Sequence, residues 1–246
     1  MEDLVELCII LLSWFIGGIV GGATGMGSVM VAMPLLTTVV EPGIAILVSC
    51  IVSLYAAGHQ TVSYGRYVSW SDMPPMMIGM VPGCLLGVLL LMVASVQLLS
   101  LMVALFIFCF VTLQLNKKIA NWQLSASKPI AAVAGGLFGF GSAAVAMGGP
   151  SLAIYVILRH WEPNQARGNM SLLWFVTSAV VCVMQLFAGM YTWAIFQIGL
   201  IGIVGTALGQ CVGVCLGRRI NLVLFRRILL IFLTISAILL LRKAFL

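Results

Sequence analysis

The groups best placed to do chemistry in this chain are backbone amides, freed where glycine interrupts apolar sequence. Gly21-Gly22-Ala23-Thr24-Gly25-Met26-Gly27-Ser28 is answered by Gly135-Gly136-Leu137-Phe138-Gly139-Phe140-Gly141-Ser142, with five of eight positions identical, and Val31-Ala32-Met33 recurs at the same offset as Val145-Ala146-Met147. Both copies sit inside long apolar runs. A helix broken there exposes N–H and C=O groups that hydrocarbon cannot satisfy, so the break must be buried in protein or line a cavity. Helices restarting at Ser28 and Ser142 would each aim free N–H groups, and about half a positive charge, at the space between them, which is an anion site. Paired interruptions in the two halves of a chain mark a transporter's binding site. The competing role for the glycines is close helix packing of the small-x-x-x-small kind. Repetition of Gly-x-Gly-Ser at matched positions favours the site, with Met26 and Phe140 as its walls.

The apolar runs carry no Asp, Glu, Lys or Arg at their middles. An anion held there must therefore be met by backbone dipoles and neutral donors such as Ser49, Ser53, Asn169, Thr206 and Gln210. Each of these serves equally well to bond helix to helix. Asn169 ranks first, because Arg167-Gly168-Asn169-Met170-Ser171 opens a helix and is the counterpart of the stretch holding Ser49. His59 is the one histidine within an apolar run, and an imidazole can carry a proton, which suits coupling, although its place near a helix end suits an interfacial hydrogen bond better. Arg66, Arg159 and Arg167 suit gathering anions at one mouth, and membrane topology explains them equally well. Pro34 and Pro150 follow the two interruptions and are candidate gating positions. Met73, Met76, Met77 and Met80 share a helix face, and thioethers bind Cu(I), yet no Cys or His supports them at suitable spacing, so packing is the better reading. The seven cysteines form no C-x-x-C pair, and neither a metal nor a cofactor is expected. No His/Asp/Glu/Cys constellation is fit for acid–base or nucleophilic work, and no Walker-type loop is present, so an enzyme or an ATP motor in this chain is not expected.

Elements that could position such groups must lie in a bilayer, since 246 residues that are 63% hydrophobic and 7% charged cannot cover a water-soluble globule. The net charge of +6 comes from basic residues between apolar runs rather than from a patch, which is topology signal and not a nucleic-acid surface. Met1-Glu2-Asp3-Leu4-Val5-Glu6 is acidic where a secretory leader would be basic, so the first helix is expected to be retained. Apolar segments run from 4 to 40, 43 to 62, 73 to 93, 97 to 115, 129 to 158, 165 to 188, 193 to 216 and 223 to 241. The first of each four is anomalous, because residues 4 to 40 as one helix would reach about 54 Å against a core of about 30 Å.

Loop charges choose between a single crossing and a return. If each opening segment crosses once, six basic residues lie on each side. If each returns as a re-entrant hairpin or two short spans, Arg66, Lys117, Lys118, Lys128, Arg159, Arg167, Arg218, Arg219, Arg226 and Arg227 fall together and only Arg242 and Lys243 oppose them. Ten against two obeys the positive-inside rule and places the N-terminus outside. The expected fold is an all-α polytopic membrane protein of two homologous inverted repeats, residues 1–115 and 129–246, of about four membrane segments each, joined by a polar cytoplasmic linker at 116–128. In the second repeat only Pro129 to Phe138 precede the glycines, about 15 Å of helix, so that segment is expected to be re-entrant.

Further landmarks repeat in order. Pro34-Leu35-Leu36 answers Pro150-Ser151-Leu152 after the insertion Gly148-Gly149, Glu41-Pro42 answers Glu162-Pro163, Gly65 to Trp70 resembles Gly189 to Trp193, and Val81-Pro82-Gly83-Cys84-Leu85-Leu86-Gly87 resembles Val204 to Gly209. With His59-Gln60 ending an apolar helix, this duplicated pattern resembles the TauE/SafE family of sulfite exporters and toluenesulfonate uptake permeases over nearly the whole chain. The resemblance implies a secondary transporter, in a bacterial cytoplasmic (inner) membrane, for a small sulfur-containing anion of the sulfite, sulfonate or sulfoacetate class. It leaves direction open, and a proton or sodium ion is a candidate coupling ion. Where the family often places an acid before the turn tryptophan, this chain has Ser69 and Thr192. Expected substrate-binding residues are Gly25, Met26, Gly27, Ser28, Ser49, Gly139, Phe140, Gly141, Ser142, Asn169 and Gln210, with His59, Arg66, Pro34 and Pro150 for gating or coupling. The alternatives are carriage of another organic anion or of a soft metal, or a non-transporting membrane assembly subunit.

Overall fold

A computed structural model describes residues 2–24, 27–115, 127–159 and 161–217, together with Ile231, Thr234 and Ile238. Gly25, Met26, most of the expected linker and most of the last apolar segment lie outside the described residues. The described chain is helical: α1 Glu2–Thr24, α2 Ser28–Leu36, α3 Pro42–Tyr64, a 3-10 turn Gly65–Tyr67, α4 Met73–Val93, α5 Val96–Leu115, α6 Lys128–Val145, α7 Gly149–Arg159, α8 Pro163–Phe187 and α9 Trp193–Gly217. Six of these, α1, α3, α4, α6, α8 and α9, are long and apolar enough to cross a membrane. By contrast α2 and α7, at 9 and 11 residues, reach only about 14 and 17 Å.

Glycine sets how these helices meet. Without side-chain cohesion beyond that of lipid, helices associate where small residues let backbones touch. Gly79, Gly83 and Gly87, one turn apart on α4, lie against Ala132, Gly136 and Phe140 of α6, and residue numbers rise together, so the pair is parallel. Gly18 and Gly22 of α1 face Thr206, Gly209 and Gln210 of α9, where a Cβ at Gly18 would come within 2.6 Å of the Thr206 carbonyl. That pair is parallel as well. Antiparallel packing joins α3 to α8 through Cys50 with Gln185, Gly58 with Phe175 and Tyr64 with Gly168. Outward faces of α4 and α9 are apolar and exposed, as at Leu85, Leu86, Leu89, Leu200, Val204 and Leu208.

The first expected interruption and the second come out differently. Between α1, described as far as Thr24, and α2, which begins at Ser28, Gly27 lies outside either helix in the left-handed region at φ 87°. In the second copy α6 runs unbroken through Gly139, Phe140, Gly141 and Ser142 and ends only at Val145. Those glycines are packing positions: a Cβ on Gly135 would collide with the Met76 carbonyl, one on Gly139 with the Met80 carbonyl, and one on Gly141 with Phe106 at 2.5 Å. Ser142 opens no helix, since its hydroxyl donates to the Phe138 carbonyl at 2.7 Å inside α6. The interruption sits instead at Ala146-Met147-Gly148, with Ala146 left-handed at φ 56° and Met147 N–H reaching back to the Gly141 carbonyl at 3.0 Å.

Candidate anion site

Both interruptions border one cavity of about 60 Å³. From the first come Gly27, Ser28, Val29 and Met30, and from the second Ala146, Met147 and Gly149. The wall is completed by Ser53, Ala56, Ala57 and Gln60 of α3, Phe110 of α5, and Met170 and Trp174 of α8. The starts of α2 and α7 touch directly, because a Cβ added at Gly149 would collide with Met30 Cε. The first N–H groups of each helix have no partner one turn back. For α2 these belong to Ser28, Val29 and Met30, with Val31 N–H already bonded to the Gly27 carbonyl at 3.3 Å. For α7 Pro150 contributes no donor, leaving Gly149 and Ser151, whose hydroxyl donates to the Gly148 carbonyl at 2.8 Å.

No charged side chain lines the cavity among the described residues. Its lining is mainly apolar, with the methyl thioethers of Met30, Met147 and Met170 as its soft surface. A continuation of about 10 Å³, room for no more than one water, passes Ser53, Ala146 and Trp174 and is lined by Cys50, Ser142, Thr177 and Ser178.

The expected site residues do not all fall in one place. Gly27 and Ser28 line the cavity, and Ser142 lines its small continuation. Ser49, Asn169, Phe140, Gly139 and Gly141 do not line that cavity. Ser49 is buried and its hydroxyl points to Met33 Sδ at 3.7 Å, tying α2 to α3. Asn169, fully buried, accepts from the Ser69 N–H at 2.7 Å through Oδ1 and so fastens the turn after α3 to α8. Phe140 packs against the core and the two glycines sit in helix contacts. Gln210 and His59 line a second cavity toward one end of the bundle. Arg66 lies in neither cavity, since it donates to the Tyr67 hydroxyl at 2.7 Å and stacks on that ring. Pro34 lies buried within α2, and Pro150 occupies the second position of α7.

Sequence reasoning passed over Gln60, Ala146, Met147, Gly149 and Trp174. The insertion Gly148-Gly149 before Pro150 was the available signal, because a Gly-Gly-Pro run cannot continue a helix. Asp72 was also missed. It is 6% exposed, accepts from Arg159 Nε at 3.3 Å and Nη2 at 3.0 Å, and takes the Trp161 Nε1–H at 3.1 Å. Burial works against the Arg159 charge, but the bonds and charge of Asp72 outweigh it and hold the guanidinium above its ordinary pKa. This cluster ties the end of α7 to the start of α4. With the Tyr64–Gly168 contact it gathers Arg66, Asp72, Arg159 and Arg167 at one end of the bundle.

Comparison with known proteins gives one match. The family model described as sulfite exporter TauE/SafE matches residues 10–240. No curated protein and no solved structure matches the chain.

Proposed function

The chain belongs to the TauE/SafE sulfite exporter family of membrane transporters, and from that premise we propose that it is a secondary carrier of a small, singly charged sulfur oxyanion or organosulfonate, held between the starts of α2 and α7. The observation carrying this reading is that two helix starts meet at one cavity with no charged side chain in its described wall. Each helix N-terminus contributes about half a positive charge, so the two together match about one negative charge. A dianion would enter this apolar space with half its charge uncompensated, at a large desolvation cost. Singly charged hydrogensulfite and sulfonates are therefore favoured over sulfate.

Alternating access between two inverted repeats is supported by the packing. Exchanging α1 with α6, α2 with α7, α3 with α8 and α4 with α9 turns the α1–α9 contact into α6–α4, α3–α9 into α8–α4 and α1–α2 into α6–α7, and leaves α3–α8 unchanged. Return of the second opening hairpin to its own side is supported by the Asp72–Arg159 pair, which joins residues that a single crossing would put on opposite sides; return of the first is supported by α1 running parallel to α9, which follows α8, itself antiparallel to α3. On that topology the basic end is cytoplasmic and the N-terminus outside, in a bacterial inner membrane. The test is flux of radiolabelled sulfite, a sulfonate and sulfate into proteoliposomes under imposed proton and sodium gradients. Transport of the singly charged anions ahead of sulfate supports the reading; sulfate moved fastest would overturn it.

A further inference from the structure

Toward the basic end lies a larger cavity, about 340 Å³, bounded by Gly21 to Ala23 of α1, His59, Gln60, Ser63 and Tyr64 of α3, Arg167 of α8 and Gln210 of α9. Two groups in it lack the partners their chemistry demands. Gln210 is 3% exposed, and neither Oε1 nor Nε2 has a hydrogen-bond partner among the described residues. A buried carboxamide left in this way is costly and calls for an explanation. Arg167 has no carboxylate partner among the described residues; its guanidinium lies over the Tyr64 ring at 5.6 Å from the centroid. The cavity is not isolated, since Gln60 lines both it and the smaller central cavity one turn along α3.

We propose that this larger cavity is a second anion site, where a small oxyanion is captured by Arg167 and Gln210 with water still around it before passing Gln60 into the central cavity. The proposal rests on the anion-carrier reading. Arg167 supplies a planar set of donors suited to two oxygens of one oxyanion. Gln210 Nε2 donates to a third oxygen, and its Oε1 accepts from a hydroxyl or hydrating water. The two volumes divide the work: the outer space, about 340 Å³, admits the ion with part of its shell, and the inner, about 60 Å³, admits it stripped. Capture by a full cation at a wet mouth and release to backbone dipoles inside avoids one large desolvation step.

The experiment uses the full chain in lipid nanodiscs and sodium sulfite as probe, with binding followed calorimetrically beside flux in proteoliposomes. Ala57→Leu fills the central cavity, so it should block flux yet still bind sulfite. Adding Arg167→Gln to that variant should weaken the remaining binding about tenfold or more, as expected for loss of a charge-assisted bond. Arg167→Lys should restore part of it. Gln210→Leu, which removes an unpartnered amide, should weaken binding while raising the melting temperature. An Ala57→Leu protein that binds no sulfite, or an Arg167→Gln protein that binds as before, would overturn the second site while leaving wild-type flux, and with it the carrier reading, intact. Wild-type protein that neither binds nor moves sulfite would overturn both.

Discussion

Replacing Asp72 with asparagine keeps the shape of the side chain and the bond from Trp161 Nε1–H, and removes the charge that Arg159 faces together with one of the two oxygens that accept from its guanidinium. The pair is partly dry, with side chains 9% and 18% exposed. Breaking a fully buried pair costs about 3–5 kcal/mol because one charge is left uncompensated, and the residual exposure of Arg159 reduces this to about 2–3 kcal/mol. For a chain of this size, about 2–4 °C of melting temperature accompanies each kcal/mol, so the expected fall is about 4–12 °C. The assay is thermal unfolding of purified protein in detergent, read by tryptophan fluorescence. Arg159→Met in the Asp72→Asn background removes the stranded charge and should recover much of the loss, giving a coupling that single variants cannot mimic. A single variant that melts with the wild type would refute the claim that this pair anchors α7, as would a double variant showing the full sum of the two losses.

Three other substitutions probe the backbone. Gly83→Leu drives a side chain into the Gly136 carbonyl and should prevent α4 from seating on α6, seen as loss of monodisperse protein in size-exclusion chromatography. Gly27→Val forces a β-branched residue into the left-handed region at φ 87° and should cost about 1–2 kcal/mol or more in thermal unfolding, whatever the space around it. Ala146→Gly relieves the same kind of strain at φ 56° and should leave stability unchanged or raise it by up to about 1 kcal/mol in the same assay.

The placement of α1, α3, α4, α8 and α9 was legible in the sequence, because it follows from the length of apolar segments, and so was the meeting of Arg66, Arg159 and Arg167 at one end, which follows from charges that avoid lipid. Locating the second interruption was not. Gly139-Phe140-Gly141-Ser142 looks like Gly25-Met26-Gly27-Ser28, yet glycine in lipid has two uses, and only the tertiary neighbours choose between them. Met80 and Cys84 against Gly139 make it a packing residue, while two extra glycines at 148 and 149 carry the turn. The partners of the expected donors were not legible for a related reason. Asn169 and Ser49 were rightly picked as buried polar groups within apolar helices, but what a buried donor bonds to depends on a partner distant in sequence, here Ser69 N–H and Met33 Sδ. Asp72 is the only acidic residue between Glu41 and Glu162, and a lone acid beside an apolar segment calls for a cation, which here is Arg159.

The central claim is that an anion passes through the small space where α2 and α7 begin. Ala57 is 6% exposed in the wall of that space, and leucine there adds three carbon atoms to a cavity of about 60 Å³. Initial rates of radiolabelled sulfite flux in proteoliposomes, for wild type and Ala57→Leu at matched protein content and melting temperature, test this most directly. The account predicts transport by the wild type and none by the variant. Undiminished flux through Ala57→Leu would place the pathway elsewhere.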